Sequence, residues 1–228
     1  MIISHSHKFI FIKSHKTAGT SVEAALTEYC SGDDIVTPLL NYSFNRNERG
    51  EWIHHSMNAD DFHQHDDALT IKSKLPSEVW NNYFKFSITR NPWDRAVSFF
   101  SWEKRLDPAL RPQKRFYHRL GIPFDDLGQT RKLFSEYIRG DWTNNDCFYL
   151  IADQLCVDFV IRYERLAEDF REVCNITGVP AKGLPHLKSG MRKKKHHYSE
   201  YYDEESQAIV AERHKNDIRL FGYMFERV

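Results

Sequence analysis

Lys16, Thr17, Ala18, Gly19, Thr20 and Ser21 sit within the stretch Lys13 to Glu23, KSHKTAGTSVE. A lysine charge, three hydroxyls and a glycine in one short turn can hold a phosphate or sulfate group. The turn also differs from the common GxxxxGK[ST] nucleotide loop, because its lysine precedes the glycine and no glycine-rich lead-in is present. A plain strand–helix turn with an N-cap at Thr20 or Ser21 is the alternative for these residues alone. A second cationic turn lies at Thr89-Arg90-Asn91-Pro92-Trp93-Asp94-Arg95, with Ser98 three residues beyond. For Arg90 and Arg95 the plain alternative is surface ion pairing with Asp94 or Glu103. His54 and His55 lie between the two turns, and imidazole suits a proton acceptor near neutral pH. The run Arg192-Lys193-Lys194-Lys195 adds a local block of positive charge.

Each turn needs a strand before it and a helix after it. Phe9-Ile10-Phe11-Ile12 is a short apolar run of the kind that forms a buried strand. Val22 to Leu26 are helix formers with an apolar face. The first N–H groups of that helix lack intrahelical partners, and its dipole places partial positive charge there. Gly19 would let the backbone approach a bulky anion. Tyr83 to Ile88 predicts a second strand. Asn91 followed by Pro92 predicts a capped helix start, with Ser98 about two turns in.

Elsewhere the signals are weaker. Residues 30–52 and 107–129 are rich in turn formers and are expected to shape a substrate pocket. Ser56 or Asn58 could cap a short helix. Helices are expected over Thr130–Gly140, Glu164–Thr177 with Gly178 as its stop, and Asp203–Phe221 with Gly222 as its stop. Phe148–Ile151 and Asp158–Tyr163 are expected strands. Trp93 and Trp102 are expected in the core. His54, His55, His63 and His65, interleaved with Asp60, Asp61, Asp66 and Asp67, match no standard metal-ligand spacing, so no metal site is assigned.

Composition bounds the answer. The chain has 228 residues, 41% hydrophobic and 14% aromatic, enough for one α/β domain with a core. Lys plus Arg and Asp plus Glu are 32 each, so any anion site must be local. The basic block is too short, in a neutral chain, to argue for nucleic acid. Cys30, Cys147, Cys156 and Cys174 form no CxxC pair, which argues against a zinc knuckle and fits a reduced state. No signal peptide pattern and no apolar run of ~20 residues is present. These features predict a cytoplasmic protein without a membrane span, or a soluble domain trimmed from a longer chain.

The same residues carry a resemblance. The chain resembles sulfotransferases that use 3′-phosphoadenosine 5′-phosphosulfate (PAPS), and more narrowly the carbohydrate sulfotransferases and their bacterial relatives. HKTAGTS resembles the loop that binds the 5′-phosphosulfate. RNPWDRAVS has the Arg-x7-Ser spacing of the 3′-phosphate site. YSEYYDEES with DIRLFGYMF resembles the C-terminal helix and tail, and IRYERLAEDF is similar to a further family segment. His15 departs from this pattern, standing where proline is common.

The resemblance implies that Lys16, Thr17, Ala18, Gly19, Thr20 and Ser21 hold the 5′-phosphosulfate, with Lys16 near the bridging oxygen. It implies that Arg90 and Ser98 bind the 3′-phosphate, with Arg192 and Lys194 assisting, and that His55 is the base, with His54 its competitor. The implied reaction moves a sulfuryl group to a hydroxyl or amine of a carbohydrate, lipid head group or small molecule, leaves adenosine 3′,5′-bisphosphate (PAP), and needs no metal. A kinase-like phosphotransferase and a non-catalytic nucleotide or polyanion module remain alternatives. Magnesium dependence separates the kinase from the sulfotransferase.

The expected fold is α/β, a three-layer P-loop-like domain with a mainly parallel sheet and helices on both faces. It is expected to occupy 1–228 as a single domain, with 107–145 a substrate-side excursion and 186–228 a basic loop plus C-terminal helix. Its sites are expected at the carboxyl ends of the strands.

Overall fold

The computed structural model describes residues 1–38, 45–46, 52–53, 56–106, 126–142, 144–184 and 196–228. The chain divides into two compact units, Met1–Arg90 with Asn145–Leu187, and Asn91–Asn144 with Lys188–Val228. In chain order the first segment holds β1 (Ile2–Ser4), β2 (Phe9–Phe11), α1 (Gly19–Thr27), β3 (Ile35–Val36), β4 (Asn45–Arg46), β5 (Trp52–Ile53), α2 (Ala68–Lys74), α3 (Ser77–Asn82) and β6 (Phe84–Thr89). Then come α4 (Pro92–Leu106) and α5 (Asp126–Arg139) of the second unit. The first unit resumes with β7 (Leu150–Ile151), β8 (Gln154–Leu155), β9 (Phe159–Arg162) and α6 (Leu166–Thr177), and the second ends with α7 (Glu204–Arg213) and α8 (Lys215–Phe221).

The first unit is built on a sheet of order β3-β1-β2-β6-β9. β2, β6 and β9 pair in parallel, while β1 is antiparallel to both β2 and β3. Only β1 therefore opposes the others, and the sheet is mainly parallel. Alternation explains why these short strands hold. Phe9 and Phe11 lie on one face and Ile10 and Ile12 on the other, all 1% exposed or less, so both faces are buried. Phe11 and Phe86 are register partners whose rings stack 5.1 Å apart. On that face Val22 and Leu26 of α1 and Phe170 and Val173 of α6 close the core.

The second unit is helical with an aromatic core. Trp93 and Phe100 of α4, Phe134 of α5, and Tyr198, Tyr201 and Tyr223 pack in one cluster. Among the described residues no helix is long and apolar enough to cross a membrane. The four cysteines are free thiols.

Several expectations need correction. Residues 56–62 form no helix: Met57 pairs with Val36 through two backbone hydrogen bonds, of 2.9 and 3.0 Å, and Asn58 takes φ 47 while its amide bonds the Gly32 and Asp34 carbonyls. The helix comes later, at Ala68, where Asp67 accepts from the Thr70 amide at 2.7 Å. The expected loop over 30–52 carries strands β3 and β4 and the start of β5. The expected helix Asp203–Phe221 is two, broken at His214 (φ −112, ψ 28), whose ring is fully buried between Arg95 and Asp217. The helix expected from Thr130 begins at Asp126. Trp93 is in the core, but Trp102 is 37% exposed.

Candidate anion site

The turn after β2 takes an unusual path. Lys16 has φ 61 and Ala18 φ 66, both left-handed, which costs on the order of 1 kcal/mol or more per residue without glycine. Hydrogen bonds hold it there. The Ser14 hydroxyl donates to the Ile88 carbonyl at 2.5 Å, and Thr17 donates to Ser14 at 2.7 Å. Asn145 clamps His15 twice, accepting from its N–H at 3.2 Å and donating to its carbonyl at 2.8 Å.

Because Ala18 is the N-cap, no side chain caps α1. The N–H groups of Ser21 and Val22 turn back to the Ala18 carbonyl. The helix start carries the positive end of the dipole, an arrangement suited to an anion. Thr17 is fully buried and its hydroxyl is engaged with Ser14, so that side chain serves the turn; Thr20 and Ser21 are buried as well. Lys16 and Ala18 are half-buried.

Gly19 has a purpose other than ligand approach. A Cβ there would lie 2.9 Å from Cγ of Lys13. The Lys13 side chain passes that point to pair with Glu23 of α1, both out of solvent. Burial pulls the Lys13 ammonium below the usual lysine range, and Glu23 works against that shift. Lys13 thus ties the strand end to the helix, leaving Lys16 as the loop's outer cation.

The parallel strands β2, β6 and β9 deliver three groups from their carboxyl ends: the turn just described, Arg90 and Tyr163. The Arg90 guanidinium donates to the Lys16 carbonyl at 3.0 Å and lies over the Tyr163 ring, 4.0 Å from its centre. Lys16 and Arg90, 74 positions apart, are therefore brought together. Ser98 is half-buried on α4, in the second unit. Arg95 is no surface residue: it is 1% exposed, bonds His214 at 3.1 Å and lies over Trp142.

His54, His55, Arg192 and Lys194 lie outside the described residues. The remaining members of the His/Asp stretch separate into local bonds. Asp66 pairs with Lys74 at 2.7 Å and Asp67 caps α2, while His63 is exposed. Among the described residues no group of His, Cys, Asp or Glu is placed to hold a metal ion.

His65, Asn145 and Tyr163 were not singled out for this turn by sequence. His65 bonds the Lys13 carbonyl at 2.8 Å and stacks on His15 at 3.8 Å. Burial, then the neighbouring His15, pulls its pKa down to about 2. No motif marks His65 or Asn145; Tyr163 lies in IRYERLAEDF, where a family likeness was the available signal.

A family model described as the sulfotransferase family matches residues 1–224. An uncharacterized protein of Archaeoglobus fulgidus is 27% identical over 113 residues, covering 50% of this chain and 82% of its own length. The solved sulfotransferase from Alicyclobacillus acidocaldarius aligns over 96% of both chains, with 15% identity and a TM-score of 0.37.

Proposed function

This chain belongs to the sulfotransferase family, and on that premise we propose that it moves a sulfuryl group from PAPS to a hydroxyl or amine of an acceptor. The observation that carries the reading is the bond from Arg90 to the Lys16 carbonyl, which joins the two cationic turns in one place. One turn would receive the 5′-phosphosulfate, on Lys16, the backbone of Thr17 to Gly19, and Thr20 and Ser21. Arg90 would bind the 3′-phosphate. Ser98, Arg192 and Lys194 join that role on motif and resemblance alone.

The transfer is an in-line displacement at sulfur. The acceptor oxygen or nitrogen forms a bond to sulfur as the bridging S–O bond breaks, and PAP departs with the electron pair. The acceptor proton passes to His55. Negative charge grows on the bridging oxygen, and the Lys16 ammonium stabilises it without a metal. The family match runs through both compact units, supporting one functional domain over 1–228. The finer fold reading is a three-layer P-loop-like domain, working in the cytoplasm, with a carbohydrate as the first acceptor class to screen.

Calorimetry with PAP tests this, followed by an acceptor screen using sulfur-labelled PAPS with and without magnesium. Micromolar PAP binding and magnesium-independent label transfer are expected. No PAP binding overturns the reading. Binding without transfer to any acceptor favours a non-catalytic module, and magnesium-dependent label transfer in a parallel screen with phosphorus-labelled ATP favours a kinase.

A further inference from the structure

We propose that His65 is a positioning residue of the anion turn: its Nδ1–H bond to the Lys13 carbonyl and its stack on His15 fix the lead-in that sets Lys16 and Ala18 in their left-handed conformation. The inference rests on the reading that this turn receives the 5′-phosphosulfate. A carbonyl only accepts, so the 2.8 Å contact places the proton on Nδ1 of His65. The low pKa of His65 keeps that ring a neutral donor across the ordinary pH range.

The geometry explains why a ring so far along the chain matters. His65 lies 52 positions beyond Lys13, yet it bonds the carbonyl three residues ahead of Lys16. Its ring lies nearly flat on His15, at 26° and 3.8 Å, and Phe148 meets both rings edge-on at 5.5 and 6.3 Å. Asn145, three residues before Phe148, holds the His15 backbone from the other side. A proline at position 15 would stiffen the lead-in covalently, through its ring. Here the backbone of residue 15 keeps its N–H, bonded to Asn145, and the stiffness comes from packing around the His15 ring.

Two variants separate the bond from the ring. His65→Phe keeps an aromatic ring for the stack and removes the donor. His65→Asn keeps a donor near the Nδ1 position and removes the ring. PAP binding is measured by calorimetry, amide hydrogen exchange is followed across residues 13–19 without ligand, and thermal midpoints check the fold.

His65→Phe is expected to weaken PAP about tenfold and to speed exchange at 13–19 while the rest of the protein exchanges as before. His65→Asn is expected to recover binding to within about threefold. Unchanged binding and exchange in His65→Phe overturns the proposal, as does equal loss in both variants with faster exchange everywhere, which marks a general packing role. If the unsubstituted protein binds no PAP, the functional reading fails, and the exchange result alone decides the role of His65. If His65→Phe does not fold, His15→Ala at a half-buried position stands in. Faster exchange confined to 13–19 supports the stack, and no change overturns it.

Discussion

The two strand–turn–helix segments share a pattern and differ at the helix start. Both follow an aromatic or β-branched strand of the parallel set, and both carry a cation in the turn. At α1 the N-cap is Ala18, with no side chain to offer, in a backbone conformation that few residues adopt. At α4 the turn closes itself: the Asn91 side chain accepts from the N–H groups of Trp93 at 3.1 Å and Asp94 at 3.4 Å. The N-cap residue gives one helix start no side-chain acceptor, and at the other the Asn91 side chain supplies one. Beside the second turn it is the Arg90 side chain that bears charge, and it leans back onto the first turn. Matching sequence patterns therefore do not make matching sites. What separates them is whether the chain supplies its own cap.

Changes in the reacting groups have the largest expected effects. His55→Ala should lower turnover by roughly 10²–10⁴-fold and leave PAP affinity nearly intact, since a base acts on the acceptor proton. Full activity with His54 untouched removes His55 from the mechanism. Lys16→Ala should lower turnover by roughly 10²–10³-fold and weaken PAP binding too, because the charge meets both ground state and leaving group. Wild-type kinetics in that variant would sink the first turn as the reacting site. Arg90→Ala should act mainly on affinity, weakening PAP by about 10–100-fold, the worth of one charge-assisted contact. If it left PAP binding intact, the two turns would not share one ligand.

Much of this arrangement is legible in the residues, for physical reasons. Strand β2 is short but fully apolar, and Asn91-Pro92 is a helix start with a mechanism, so both turns can be placed by reading alone. Gly178 and Gly222, in the left-handed region at φ 70 and 66, end their helices as local chemistry dictates. Contacts between distant positions cannot be read this way. Nothing local says that Gly19 makes room for Lys13, or that Lys13 is buried against Glu23. His65 and Asn145 reach the first turn across 52 and 130 positions, and neither belongs to a pattern. The break at His214 is missed because Ile209, Val210, Ile218 and Phe221 keep a helical period across it. A buried side-chain network, not propensity, stops the helix there.

Each turn also has a neutral histidine near it, half-buried at the first and fully buried at the second, and pH probes this parallel with an intermediate effect. His65 backs the first turn. His214 sits behind α4, donating from Nδ1 to Asp217 and accepting at Nε2 from Arg95. Burial first, then Arg95 and Arg213, hold its pKa at about 2. An ordinary histidine titrates near 6.5, so on acidification the unfolded chain takes up the proton and the folded one does not. Stability is then full above pH 6.5 and falls below it, by up to about 1.4 kcal/mol per pH unit from His214. Urea midpoints between pH 7 and 5 should show this fall, and His214→Gln should reduce it to the part that His65 contributes, at the cost of a lower midpoint at pH 7. An unchanged slope in His214→Gln would show that this imidazole is not held neutral.

The smallest expected effect is the sharpest test of the comparison. Asn91→Ala removes the cap of α4 and should cost about 1–2 kcal/mol, a thermal midpoint lower by roughly 2–7 °C. Part of that loss comes from the Asn91 bond to the Met224 carbonyl, at 3.1 Å. Asn91→Ser restores a cap but not that bond, so it should recover about half of the loss. Neither variant should change PAP affinity by more than about twofold, because the Asn91 side chain answers N–H groups of its own helix. If Asn91→Ala instead alters PAP affinity tenfold while the midpoint hardly moves, the second helix start is an anion site in its own right. The two turns would then be equivalent in function as well as in pattern, and the missing cap at Ala18 would lose its significance.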